Sequence, residues 1–248
     1  MEIGIGAKKV RIGAIAKGAG MMQPKMEIYP PRHATMLCFV TTDARIGVPA
    51  LRQALRQAVD RTFNTITVDG DTSTNDMVLV LANGEAGNRE IVEGSKDFAS
   101  FSRALESIFL GLSKRMILDA EGATKFVEVQ VKNAATREDA GRVSKAVANS
   151  VLVKCALFGC DPNWGRIAAA AGYSGANVDP WKMTISLGGE PVLRNGGGVV
   201  RDTAALNRIF AKKSIKITID LGLGRYGATA YTCDLSFNYV RINSAYRT

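Results

Sequence analysis

The stretch Arg32-His33-Ala34-Thr35-Met36-Leu37-Cys38-Phe39-Val40-Thr41-Thr42-Asp43-Ala44 joins a proline-containing approach to an apolar run. Met36 to Thr42 reads as a strand, so Thr35 stands where loop gives way to sheet. Cutting the peptide bond before Thr35 would give that residue a free α-amine beside its own hydroxyl, and an N-terminal amine can act as the base for a threonine nucleophile. One residue would then supply both nucleophile and base. Alone, the Ala34-Thr35 pair decides little, because most threonines that follow alanine are structural.

Upstream of the junction, the first 34 residues are rich in glycine and carry Pro24, Pro30 and Pro31, which predicts a short strand around Val10 to Ala16 followed by loop. Downstream, Pro49 sits where the first turn of a helix tolerates it, and Leu51, Leu55, Ala58, Val59 and Phe63 recur at helical spacing. Ile66 to Asp69 and Met77 to Ala82 read as short β runs flanking the polar stretch Asp69 to Asp76, with Asn83-Gly84 as a turn. That polar stretch lacks the spacing of a calcium loop, so its side chains are expected to bond the loop backbone. Phe98, Phe101, Leu105, Ile108, Phe109, Leu112 and Met116 line one face of a long helix.

Val127, Val129 and Val131 alternate with polar residues as a half-exposed strand, and Thr136 is placed to cap a helix running through Val143, Val147 and Val151. Asp161-Pro162-Asn163-Trp164-Gly165-Arg166 opens a small-residue helix at Ile167 to Ala171, and Met183 to Leu187 suits a strand. Gly196 to Gly198 reads as loop, Asp202 as the cap of a short helix to Phe210, and Ile215, Ile217 and Ile219 as an alternating strand. Gly222-Leu223-Gly224-Arg225-Tyr226-Gly227 matches G-x-G-x-x-G, yet Ala228 to Leu235 continues with strand-like alternation and not with a helix. Two strands joined by a glycine-rich turn replace the dinucleotide reading. The predicted class is α/β, with mixed sheets layered with helices.

A chain of 248 residues with 46% hydrophobic content is long enough for one large core or two smaller ones. No apolar run reaches the roughly 18 residues needed to span a bilayer, and the N-terminus lacks the features of a signal peptide, so a cytoplasmic address without membrane is expected. The net charge of +9 is spread along the sequence without a dense basic run, which favours a solvated basic surface over a nucleic-acid footprint. Cys38, Cys155, Cys160 and Cys233 are too few and scattered for a disulfide scaffold and read as reduced thiols. With His33 as the only histidine, a cluster of imidazole ligands is impossible, and no metal site is expected. A histidine-based triad would have to rest on that residue, which lies on the segment that cleavage detaches.

The stretches Ala16 to Met21, Ala34 to Ala44, Thr67 to Asn75, Asp119 to Lys125, Phe158 to Arg166 and Asn243 to Thr248, taken in order, resemble the ornithine acetyltransferase (glutamate N-acetyltransferase) family of arginine biosynthesis. The resemblance implies a self-processing, N-terminal-nucleophile-like architecture of the DmpA/ArgJ type. Members of the family cut themselves before the threonine of an Ala-Thr-Met-Leu motif, which corresponds to Ala34-Thr35, and the two chains stay together. It implies a division into residues 1-34, the remnant of an α chain, and residues 35-248, the nucleophile-bearing β chain. Thr35 is the implied nucleophile, and Lys17, Glu121, Asn243 and Thr248 are the implied contacts to the amino-acid substrate alongside it. An ammonium suits a substrate carboxylate, and a carboxylate suits a substrate amine.

The reaction that the resemblance implies is ping-pong transfer of an acetyl group from N2-acetylornithine to glutamate through an acetyl-threonine ester, with no cofactor. In bifunctional members acetyl-CoA also donates the acetyl group. Family members are longer at the N-terminus, where a Thr-Gly pair stabilises the oxyanion, and this sequence contains no Thr-Gly pair. Losing an oxyanion donor costs about 100-fold to 1000-fold in rate, so association with an α-chain segment through an apolar surface, and a higher oligomer, are expected. Glu27 to His33 also reads as an insertion relative to the family, directly before the junction. A related self-processing amidase or aminopeptidase and a non-catalytic subunit are the alternative readings.

Overall fold

The computed structural model describes residues 1–26, 33–199 and 203–245, so Glu27 to Arg32 of the expected insertion, the expected cap Asp202 and the expected substrate contact Thr248 lie outside the described residues. The chain forms two compact units, Met1–Ile66 with Asp71–Met116, and Thr67–Gly70 with Ile117–Thr248. The fold is mixed α/β, as the alternation of periods predicts.

The first unit is built on a four-stranded sheet in the order β1 (Glu2–Ile5), β2 (Lys8–Lys17), β3 (His33–Thr42), β4 (Asn75–Ala82). β1, β2 and β3 run antiparallel in succession, while β3 and β4 are parallel and joined through the helix α1 (Val48–Arg61). Parallel neighbours need such a crossover, since a hairpin cannot connect them. Along β3, Met36, Cys38 and Val40 are buried, and Ala50, Ala54, Ala58 and Val59 of α1 are buried with Phe101, Leu105 and Phe109 of α2 (Lys96–Leu118). Leu51 and Leu55, expected in the buried stripe, are half-buried, because α1 turns its alanines inward. Phe63 lies in a short 3-10 turn (Phe63–Thr65) beyond the helix, its ring 4.9 Å from that of Phe109.

The opposite face of this sheet is apolar and open. Register places Ile15, Phe39 and Leu79 in one row across β2, β3 and β4, with Met77 and Leu81 on either side of Leu79 along β4. Their exposures run from 38% for Met77 to 69% for Ile15. An alternating strand normally turns polar residues to water, so this face departs from the rule.

In the second unit a six-stranded sheet runs β10 (Tyr226–Cys233), β5 (Phe126–Ala134), β9 (Ser214–Asp220), β6 (Thr184–Leu187), β7 (Glu190–Arg194), β8 (Gly197–Gly198). α3 (Arg137–Asn149) packs on β5 and β10, and α4 (Val151–Phe158) and α5 (Trp164–Gly172) pack with it. Val127, Val129 and Val131 of β5 join Ile215, Ile217 and Ile219 of β9, Val143 and Val147 of α3 and Ala170 of α5 in one buried cluster. α6 (Thr203–Phe210) contributes Phe210 to the same cluster, and α7 (Phe237–Ala245) ends the described chain.

Several expectations are corrected. Ile66 to Asp69 forms no strand: Ile66 makes only an isolated bridge and the Thr67 amide donates to the Tyr231 carbonyl at 2.9 Å, after which the chain bends. The helix expected to run through Val151 stops at Asn149, where the Ser150 side chain accepts from the Val153 amide and starts α4 instead. Gly197 and Gly198 pair with β7 and are not simply loop. β9 and β10 are joined by the glycine-rich segment as expected, but they do not pair with each other. They flank β5, and the Leu223 and Gly224 amides both donate to the Asn133 carbonyl as the connection crosses its end. Gly224 is required there, since a Cβ would sit 2.4 Å from the Ala134 carbonyl oxygen.

Candidate active site

In the first unit, Lys17 and Thr35 lie on adjacent strands. Lys17 ends β2, is exposed, and pairs with Leu37, two residues beyond Thr35. The backbone at Thr35 belongs to β3, and its side chain lies outside the description. Opposite β4 the register slips across this point: His33 pairs with Asn75 and Leu37 with Met77, so β3 advances four residues while β4 advances two. Bulges re-aim side chains and interrupt pairing, and they favour functional sites. Within the slip, the Met36 amide donates to Asp76 Oδ1 at 2.9 Å, so a carboxylate secures the residue after Thr35.

The turn after Lys17 is held close to the same strand. A Cβ on Gly18 would lie 2.9 Å from Met22 Sδ, 3.2 Å from Met116 Cε and 3.5 Å from Met36 Cβ, so a side chain there would have to displace two flexible methionine ends. The segment after Lys17 thus runs beside the chain at Met36.

In the second unit the structure brings Glu121 and Asn243 together. They are far apart in sequence, yet Asn243 Nδ2 donates to Glu121 Oε2 at 2.9 Å and to the Tyr239 carbonyl at 3.0 Å. Each partner is positioned by a chain of contacts. Gly122, at φ 66, takes the left-handed conformation that favours glycine, and a Cβ there would lie 2.4 Å from the Tyr239 amide nitrogen at the start of α7. Ser236 Oγ donates to the Gly122 carbonyl, and the Tyr239 amide donates to Ser236 Oγ at 3.3 Å. Asp234, buried, accepts from the Thr124 amide at 2.8 Å, from the Thr124 hydroxyl and from the Lys125 amide at 2.9 Å. The loop carrying Glu121 and the helix carrying Asn243 are therefore fastened through the same short segment, residues 234–239.

Behind Asp234 lies Lys154, a residue that sequence reasoning passed over. Its ammonium donates to Thr232 Oγ1 at 2.7 Å and to the Cys233 carbonyl, and only 3% of the residue is exposed. Burial pulls the lysine below its ordinary pKa, with the Cys233 thiol and the Asp234 and Asp69 carboxylates acting in the opposite sense. Burial likewise pushes the Cys233 thiol up. The sequence did hold a signal: Lys154 interrupts the otherwise apolar run Val151 to Phe158. In the polar stretch Asp69 to Asp76, the Asn75 amide donates to Ser73 Oγ at 3.1 Å, a loop side chain bonding its own backbone as expected. Among the described residues no group of acidic, cysteine and histidine side chains is arranged to hold a metal, and no helix is long and apolar enough to cross a membrane.

Comparison with known proteins first fixes the class. The fold matches a crystal structure of the arginine biosynthesis bifunctional protein argJ from Bacillus halodurans with a TM-score of 0.81 and 42% identity, over 84% of this chain and 98% of that one. The ArgJ family matches residues 1–248, and the chain belongs to that family. It is 53% identical over 244 residues to an arginine biosynthesis bifunctional protein ArgJ of Symbiobacterium thermophilum, covering 98% of this chain and 59% of the relative. It is 48% identical over 256 residues to a glutamate N-acetyltransferase of Methanocaldococcus jannaschii, covering 100% of this chain and 61% of the relative. The chain thus spans about three fifths of the length of these relatives.

Proposed function

We propose that this chain is the nucleophile-bearing part of a glutamate N-acetyltransferase acting in arginine biosynthesis. Thr35 Oγ1 attacks the acetyl carbonyl of N2-acetylornithine, and the Thr35 α-amine, freed by cleavage after Ala34, takes the hydroxyl proton and passes it to the departing ornithine amine. Glutamate then attacks the acetyl-threonine ester through its own amine, and the hydroxyl of Thr35 is regenerated. Lys17 pairs with the substrate α-carboxylate, Glu121 and Asn243 hold its amine, and Thr248 is the remaining contact. Acetyl-CoA is the second donor of a bifunctional member, and no cofactor takes part.

The observation that carries this reading is the Glu121–Asn243 hydrogen bond. Two residues assigned the same task by separate motifs sit 2.9 Å apart, and no helical or sheet periodicity relates them. The register slip across Thr35 adds support, since a strand that stays in perfect ladder leaves little freedom to bring a hydroxyl onto the preceding carbonyl.

The partner in this reading is the segment that relatives carry and this chain does not match. It supplies the oxyanion donor and covers the open row of Ile15, Phe39 and Leu79. The test is incubation of the chain, with that segment from a complete relative, in N2-acetylornithine with and without glutamate. Glutamate-dependent formation of N-acetylglutamate, lost in Thr35→Ala, is expected. Ornithine release that needs no glutamate would assign a hydrolase instead, and acetyl-CoA is tested as donor in the same mixture.

A further inference from the structure

Lys125 and Cys160 form a pair that the proposed reaction leaves unused. Lys125 is 7% exposed, its backbone amide is held by Asp234, and its ammonium donates to the Phe210 carbonyl and to Cys160 Sγ, the latter at 3.1 Å. Cys160 is exposed, so small oxidants reach it. It is also fixed in place: its φ is 55, a left-handed conformation in which non-glycine residues are uncommon, and its amide donates to the Leu157 carbonyl at the end of α4. A buried amine is therefore aimed at an accessible sulfur from a backbone anchored on both sides.

We propose that Lys125 and Cys160 are the site of a reversible oxidative crosslink, a sulfenamide formed under hydroperoxide. Hydrogen peroxide oxidises the Cys160 thiol to a sulfenic acid; the O–O bond breaks, one oxygen stays on sulfur, and the other leaves as water. The Lys125 ammonium first gives a proton to water, and the amine so formed attacks that sulfur. The N–S bond forms, the S–OH bond breaks, and the hydroxyl leaves with one amine proton as a second water. Sulfur is oxidised by two electrons and the peroxide is reduced by two. A thiol reductant reverses the link by attacking sulfur and returning the amine.

The other cysteines provide internal comparison. Cys38 is fully buried and its thiol is pushed up to about 12, and burial also raises the Cys233 thiol, so neither offers an accessible thiolate. Cys233 also has a lysine partner, Lys154 Nζ at 3.9 Å, but both are buried. Cys155 is exposed and offers the competing outcome, a disulfide with Cys160. The crosslink would tie the turn before Asp161-Pro162-Asn163 to the loop that carries Glu121, four residues from that carboxylate.

The experiment treats the full chain, and its Cys155→Ser variant, with hydrogen peroxide and maps peptides by mass spectrometry before and after a thiol reductant. The expected result is a peptide pair joined through Lys125 and Cys160, two hydrogens lighter than its parts, lost on reduction and absent from Cys160→Ser. In Lys125→Arg, Cys160 should proceed to sulfinic acid. Because Lys125 is buried and its variant could unfold, the exposed Cys160→Ser change carries the comparison independently. Cys160 found unoxidised, joined to Cys155, or carried to sulfinic acid in the wild type with Lys125 unmodified would overturn the proposal.

Discussion

Glu121 is the residue at which geometry and chemistry can be separated. In Glu121→Gln the side-chain oxygen can still accept from Asn243, so the loop should stay in place while the charge proposed to hold a substrate amine is lost. A charge-assisted hydrogen bond contributes about 1.5–3 kcal/mol, and the apparent KM for N2-acetylornithine should rise about 10- to 100-fold, with the melting temperature unchanged. An unchanged KM would remove Glu121 from the site. Cys38 gives a prediction about pH. Its thiol is raised from 9.0 to about 12 in the folded chain, so the unfolded chain ionises first as pH rises. The stability tied to this proton is fully present below pH 9 and is lost between pH 9 and about 12, by up to about 1.4 kcal/mol per pH unit. Urea unfolding across that range should be flatter in Cys38→Ala than in the wild type.

Elements were legible where their own period set their burial and illegible where a neighbour did. The alternation of Val127, Val129 and Val131, and that of Ile215, Ile217 and Ile219, survive as β5 and β9 because both strands lie over one buried cluster. The cap was legible too: Thr136 accepts from the Asp139 amide at 3.0 Å, and Thr136→Ala should cost about 1 kcal/mol in denaturant unfolding. By contrast, α7 has no buried residue and no apolar stripe, so nothing in its composition announces a helix. Tertiary contacts through Ser236 and Gly122 place it. Gly122→Ala should therefore push the start of α7 away, separate Asn243 from Glu121 and raise KM well beyond its effect on stability; an unaltered KM would mean that the helix does not position substrate. β7 was hidden by Pro191, and β1 by its shortness and glycine. Of the proposed site, Glu121, Asn243, Lys17 and Thr35 came from motifs, whereas Lys154 and Asp234, which hold other residues in place, did not, because no motif records that.

At the scale of the whole molecule, the open apolar row on the first sheet and the matched three fifths of the relatives' length are two sides of one account. A sheet that keeps Ile15, Phe39 and Leu79 at its surface presents an apolar face of the kind the proposed partner segment would cover. Leu79→Lys should leave the chain folded, judged by circular dichroism, while abolishing its capture by the segment of a complete relative that this chain does not match. Retained capture would place the contact elsewhere. The account turns on Thr35, on the backbone that slips register across it, and on the amine that cleavage would expose. The most direct measurement is the N-terminal sequence and intact mass of the purified chain after incubation with that segment. A large fragment beginning at Thr35, absent from Thr35→Ala, is the predicted result. Only the intact chain of 248 residues, under conditions where the complete relative cuts itself, would contradict it.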